Sequence, residues 1–439
     1  MFQFFSNQFY NFETTRLLSS TSTGGCEVAE FLEAVGKIRQ HDPESWHAAW
    51  EEQSRRAESI ARQAAQAGQT DAARRAFLRA SNYARAAGFM LSWSSQDARL
   101  LAAADRSVAL FREAVPYMEG RVLVLEIPYE DGIVMPGYLY LPAAAKRLGG
   151  SGANSTPVVV HVGGGDTTQE ELYHLYASVG PGLGYAVLTF DGPGQGIMLK
   201  KHKTVLRPDF EAVFVKVLDH LGQLAAGDPE LGLDMNRVAV AGASTGGYYA
   251  LRAAIDPRVK ACVSVDPPYG LWRIARKRMP AWYVDLWVSG WLTERLFNAS
   301  VYLQMMLHFP THWEVQLGMA MMGASTPGDV LRRMQLFDLD AAPDGGGRIV
   351  DRIRCAVLVT GATRSLYSSA DESTRAIYDA LSQVPKECKE MWIPEEIGNG
   401  GLTAKVGAWA LLAQKSFEFL DRHLHVVRGE GSSLPKQTA

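Results

Sequence analysis

From about residue 28 to 117, apolar residues recur every three or four positions among Ala, Arg, Glu and Gln, the period of helices with one buried face. Asp42-Pro43-Glu44-Ser45-Trp46 reads as a helix start, with Asp at the cap, Pro in the first turn, and Trp46 and Trp50 four apart on one face. Gly68-Gln69-Thr70-Asp71 marks a turn between helices. The spacing thus predicts an N-terminal helical domain over residues 1–118. Beyond Gly120 the period shortens to two: residues 122–125 and 137–140 flank Asp131-Gly132, a hairpin signal. A Gly/Ser linker follows at residues 149–152. Apolar runs at 157–162, 185–190, 237–241, 261–265 and 355–360 then alternate with helical stretches, which predicts a mostly parallel, doubly wound sheet. That core is expected over 119–266 and 349–425. Residues 267–348 interrupt it with a helical, Trp- and Met-rich stretch that has no clear strand and is expected to form a lid. The tail, 426–439, is expected to be disordered.

One turn carries chemistry. Gly242-Ala243-Ser244-Thr245-Gly246 follows the apolar run 237–241 and precedes the helical 247–254, so the G-x-S-x-G pattern stands in the strand-turn-helix setting of a nucleophile elbow. That setting predicts the α/β-hydrolase fold with Ser244 as nucleophile. A Gly-rich turn with a capping serine is the plainer reading, and the context outweighs it. An oxyanion needs donors. Thr245, first in the helix after the serine, offers one backbone N–H; Gly163, Gly164 and Gly165, after an early strand, offer others or form a simple tight turn. Asp191, in residues 190–196, is expected to tie down its own loop.

Phe9-Tyr10-Asn11-Phe12-Glu13, Asp42-Pro43-Glu44-Ser45-Trp46, Gly164-Gly165-Asp166-Thr167-Thr168-Gln169-Glu170-Glu171, residues 190–196, the elbow, and Gly400-Gly401-Leu402-Thr403-Ala404-Lys405 together mark a resemblance. Across nearly its whole length the chain resembles the fungal α/β hydrolases of polyketide and polyketide-peptide metabolism. That group includes the fusarin and cytochalasan pathway hydrolases and, more distantly, the heptaketide-shortening hydrolase of melanin synthesis. The resemblance implies a helical N-terminal domain, a hydrolase core, often a homodimer, and carbon–carbon hydrolysis, ester hydrolysis or ring-forming condensation.

The triad order Ser, acid, His then breaks off. Where related hydrolases place the acid stands Arg364, and where the base should fall, residues 395–401 hold no histidine. Asp266, after the next strand, is the alternative acid, with an equal claim to capping the lid entry. Candidate bases are His161, His308 and His312, each more often structural than catalytic; Glu395 or Glu396 could supply a carboxylate instead. Trp282, Trp287, Trp313 and Met305 are candidate substrate-binding residues, although such a stripe is usually core.

A serine without a base is a poor nucleophile, and that opens non-hydrolytic readings. The expected function is a tailoring hydrolase acting on a small apolar polyketide or polyketide-peptide. The alternatives are an aldol- or Knoevenagel-type cyclase using the same pocket and a catalytically silent binding protein. With 44 basic and 47 acidic residues and a net charge of −3, nucleic acid is not an expected partner. No apolar run is long enough for a membrane span. The N-terminus lacks a signal-peptide pattern, so a cytoplasmic location is expected. Cys26, Cys262, Cys355 and Cys388 lack metal spacing and are expected to be buried reduced thiols; no metal or cofactor is expected.

Overall fold

The computed structural model describes residues 3–94, 96–148, 156–342 and 345–428. Five helices lead: α1 (Gln8–Leu18), α2 (Val28–Lys37), α3 (Pro43–Gln66), α4 (Thr70–Phe89) and α5 (Arg99–Ala114). α3 starts where the cap signal places it, the Asp42 carboxylate accepting the N–H groups of Glu44 and Ser45, each at 3.1 Å. Its Trp46 and Trp50 are both buried, and the Trp46 indole N–H donates to the Ala86 carbonyl of α4 at 2.7 Å.

Eight strands follow: β1 (Arg121–Pro128), β2 (Val134–Leu141), β3 (Thr156–Val162), β4 (Ala186–Phe190), β5 (Leu233–Ala243), β6 (Val259–Val265), β7 (Ala356–Thr360) and β8 (Lys389–Trp392). They form one sheet in the order β1-β2-β4-β3-β5-β6-β7-β8, antiparallel where β2 meets β1 and β4 and parallel elsewhere. This is the α/β-hydrolase fold. Asp131 and Gly132 turn the β1–β2 hairpin with φ of 53° and 75°, the positive pair a tight hairpin requires. Every residue of β3, β4 and β7 is buried, because helices cover both faces; continuous apolar runs are the result. One face packs Val159, Ala241 and Val263 against Tyr176, Phe417 and the N-terminal helices, and the other packs Val160, Val240 and Cys262 against Phe210, Phe214 and Tyr249. Each large side chain so buried contributes about 1.5–3 kcal/mol.

Between β6 and β7 stand five helices, Leu271–Arg278, Ala281–Val288, Glu294–Leu307, Phe309–Met322 and Pro327–Met334. Trp313, in the fourth, packs 4.8 Å from both Phe9 and Phe89 and donates to the Phe89 carbonyl, stitching this insertion to α1 and α4. No helix among the described residues is long and apolar enough to cross a membrane. Three expectations need correction or fall outside. Cys26 and Cys262 are buried, but Cys355 and Cys388 are only partly so. Of the tail, Val426 is buried and Arg428 pairs with Asp421, so order extends to 428; residues 429–439 lie outside the described residues. So does the linker at 149–152.

Candidate active site

β5 runs straight into the helix Thr245–Ala253, and the single residue between them, Ser244, has φ 56° and ψ −124°. A non-glycine residue there is strained and is held only by its surroundings. Ser244 N–H donates to the Val265 carbonyl at 2.8 Å. A side chain at Gly242 would overlap the Gly246 carbonyl, and a Cβ on Gly246 would lie 2.7 Å from the Val162 carbonyl oxygen. Both glycines are steric necessities of the elbow.

Ser244 opens on a narrow cavity of about 70 Å³. Gly164 forms part of its wall beside the elbow, where a Cβ would meet Ala243 O at 3.5 Å and Gly246 N at 3.6 Å. Gly163 and Gly165 flank it in the chain. The Gly163 carbonyl accepts from the Gln195 amide at 2.6 Å, and a Cβ on Gly165 would lie 3.0 Å from Met321 Sδ of the insertion. Thr245 begins its helix next to the serine, where a first-turn N–H has no helical partner. Asp191 does tie down its loop, accepting from Gln169 N–H at 2.8 Å and Ile197 N–H at 2.9 Å; burial raises its pKa to about 6.

The cavity's polar wall comes from far apart in the chain. Arg16 of α1 grips Glu171 through two bonds of 2.7 and 2.6 Å and reaches Asp166 at 2.6 Å. Arg85 of α4 backs Glu171 at 3.3 Å, and Glu13 stands 3.4 Å from Arg16. Arg16 and Glu171 have side chains only 9% and 3% exposed, whereas Asp166 is 34% exposed and is therefore the carboxylate a ligand can reach. Burial pushes Glu13 up to about 8 against the pull of Arg16. Burial also acts to raise Asp166, but the Arg16 charge and hydrogen bond hold it below the usual carboxylate range. Phe12, Tyr367, Ala404 and Trp409 supply apolar and aromatic walls.

No side chain among the described residues hydrogen-bonds Ser244 Oγ. Asp266 sits one residue beyond the elbow's backbone partner, but its Oδ1 accepts from Thr360 Oγ1 at 2.6 Å and from Lys405 Nζ at 2.7 Å. Lys405 is fully buried, donates also to the Gly361 carbonyl at 2.7 Å and lies over Trp392; burial lowers its pKa. Chain order Ser244, Asp266, Lys405 thus repeats nucleophile, acid and base with an ammonium in the last place, its hydrogen bonds going to Asp266 and Gly361. None of the three histidine candidates meets Ser244. His161 is a buried core side chain of β3 edge-on to Tyr176, its pKa pushed down to about 3 by burial. His308 caps the helix Phe309–Met322 through Thr311, and His312 packs on Trp93; both line a separate groove with His41. Arg364, Glu395 and Glu396 are exposed. The four substrate-binding candidates also stand away from the cavity: Trp287 and Met305 form the insertion's own core, Trp313 the joint to α1, and Trp282 is 66% exposed. The apolar character of Trp287, Met305 and Trp313 serves packing.

Arg16, Glu13, Asp166, Glu171 and Lys405 went unassigned in the sequence. Glu13, Asp166, Glu171 and Lys405 fall within stretches that carry the resemblance, and Lys405 lies four residues beyond the 395–401 segment where a base belongs. Arg16 has no local signal, since its partners lie 150 and 155 residues away.

Profile comparison matches residues 26–321 to the FrsA-like family, described as esterase FrsA-like. The alpha/beta hydrolase xenA of Xenoacremonium sinensis is 49% identical over 98% of this chain and 100% of its own length, and the alpha/beta hydrolase pydG of an Acremonium species is 50% identical over the same shares. The crystal structure of the 2,6-dihydroxy-pseudo-oxynicotine hydrolase superposes with a TM-score of 0.67 at 21% identity, covering 93% of this chain and 95% of that one, a likeness of fold.

Proposed function

The chain belongs to the FrsA-like esterase family of α/β-hydrolase enzymes, among hydrolases of fungal secondary metabolism, and from that premise we propose that it closes a ring in an apolar polyketide or polyketide-peptide aldehyde by aldol- or Knoevenagel-type condensation. One observation carries the reading: no imidazole or carboxylate among the described residues hydrogen-bonds Ser244 Oγ, and Asp266 Oδ1 accepts instead from Thr360 and Lys405. Base assistance contributes about 10²–10⁴-fold to such a nucleophile, and acyl transfer needs it. Condensation needs instead an enolate held by donors and a pocket that aligns its carbon with the aldehyde. Thr245 and Gly164 N–H groups would hold the oxygen, and the cavity would seat the reacting end of a longer chain.

Purified protein incubated with the linear aldehyde is expected to close the ring faster than buffer, with no fluorophosphonate adduct on Ser244. Ser244→Ala is expected to slow closure by about tenfold at most, the worth of one neutral hydrogen bond. A stoichiometric Ser244 adduct with released carboxylic acid would instead establish hydrolysis, the second reading. Hydrolysis is favoured by one feature: the strained elbow, φ 56°, is fully kept.

A further inference from the structure

Glu13, Arg16, Arg85, Asp166 and Glu171 join α1, α4 and the segment after β3 in one contiguous cluster, and Arg16, Asp166 and Glu171 face the same cavity as Ser244. Three carboxylates stand against two guanidiniums, so full ionisation leaves one uncompensated negative charge in a buried place. Such a charge is costly, and the cluster relieves it by keeping one proton. We propose that Asp166 is the catalytic base of this site, and that Glu13, coupled to it through Arg16, is a positioning residue that holds the cluster's exchangeable proton. This rests on the condensation reading and supplies the base that the histidine positions lack.

The groups facing Glu13 fix its behaviour. Arg16 lies on its own helix, Arg85 on α4, Asp166 and Glu171 after β3, and the Tyr367 phenol after β7, itself raised by burial and by the charges of Glu13 and Asp166. Burial dominates, and Glu13 stays protonated up to about pH 8. Asp166 remains ionised at neutral pH, because Arg16 offsets its burial.

The steps balance without an outside reagent. Asp166 takes a proton from the methylene between two carbonyls, and the electron pair moves to the carbonyl oxygen as an enolate. The enolate carbon bonds to the aldehyde carbon, whose oxygen receives the proton back from Asp166. Removal of the second methylene proton by Asp166 forms the double bond and expels hydroxide, which that proton converts to water. Ionisation of Glu13 adds a like charge beside Asp166 and raises its proton affinity, so turnover should climb as pH rises through the Glu13 transition.

The test joins kinetics to a substrate-free measurement. Asp166→Asn, which keeps an oxygen for Arg16, is expected to lower kcat by about 10²–10⁴-fold with an unchanged melting midpoint. Wild-type kcat/KM is expected to rise near pH 8, and Glu13→Gln to hold the rate at its acid-side plateau. In the free enzyme, the infrared carbonyl band of a protonated carboxylic acid should be present below about pH 8, fade above it, and lose that component in Glu13→Gln. An Asp166→Asn enzyme of wild-type rate, or an unaltered band and pH profile in Glu13→Gln, overturns the proposal. If wild-type protein leaves the aldehyde unreacted, the condensation reading fails, and the infrared band alone decides where the proton sits.

Discussion

Glu13 and His161 are both titratable groups forced neutral by burial, and they pull stability in opposite directions. Glu13 moves from an ordinary 4.5 to about 8, so the stability its protonated form lends is complete below about 4.5 and drains away as pH rises through 8. Glu170, also raised to about 8 by burial and by Asp191, adds to that slope. His161 and His174 move from 6.5 to about 3; their stability is present above 6.5 and is lost as pH falls towards 3. Thermal unfolding midpoints should therefore fall on both sides of a mildly acidic optimum. Calorimetry across this range should show a shallower alkaline fall in Glu13→Gln, and an unchanged one would mean that Glu13 ionises normally in the fold. The elbow was legible at this scale because all of its requirements are local, whereas the role of Arg16 depends on contacts 150 residues distant that no window of sequence contains.

At the scale of elements, the turn between β5 and its helix tolerates no added atoms, while the neighbouring helix Phe210–Gly227 does. Gly242→Ala should cost about 1–3 kcal/mol or more, since the new methyl meets backbone. Gly222→Ala, in that helix with nothing within 4 Å, should gain up to about 1 kcal/mol from helix propensity. Denaturant midpoints of the two variants should move in opposite directions, and a shared direction would refute the steric account of the elbow. The same contrast explains which elements could be read in advance. β3, β4 and β7 are apolar runs buried throughout, β5 and β6 become so from Val238 and Ala261 onward apart from Ala243, and the hairpin before them has its turn residues. β8 is a four-residue strand, Lys-Glu-Met-Trp, with no residue fully buried, and its pattern is too short and mixed to declare itself. The tryptophans between β6 and β7 were legible as helix but not in their role, because packing inward and lining a pocket demand the same apolar side chains.

For the whole molecule, the outer surface of the helices between β6 and β7 stands out. Trp282, Val288, Trp291, Leu296, Leu303, Met306 and Leu307 are all exposed within 26 residues of the chain, Trp291 by 85%. Apolar side chains at that density mark a surface that associates. The expected homodimer should form through these helices. Sedimentation should give twice the mass of 48.1 kDa for the wild type and a shift towards monomer for Trp291→Lys combined with Met306→Lys; a monomeric wild type would end the idea.

The cavity around Ser244 draws its walls from residue 12 to residue 409. No fragment of the chain owns it, and it comes into being only when the first helix and the last have both docked on the sheet. Two relatives could therefore share every residue of the elbow and still differ in chemistry through their first eighteen residues. Exchanging that segment between them would transplant one wall of the reaction chamber while leaving the serine where it is, which makes α1 the cheapest place for evolution, or an engineer, to try a new substrate.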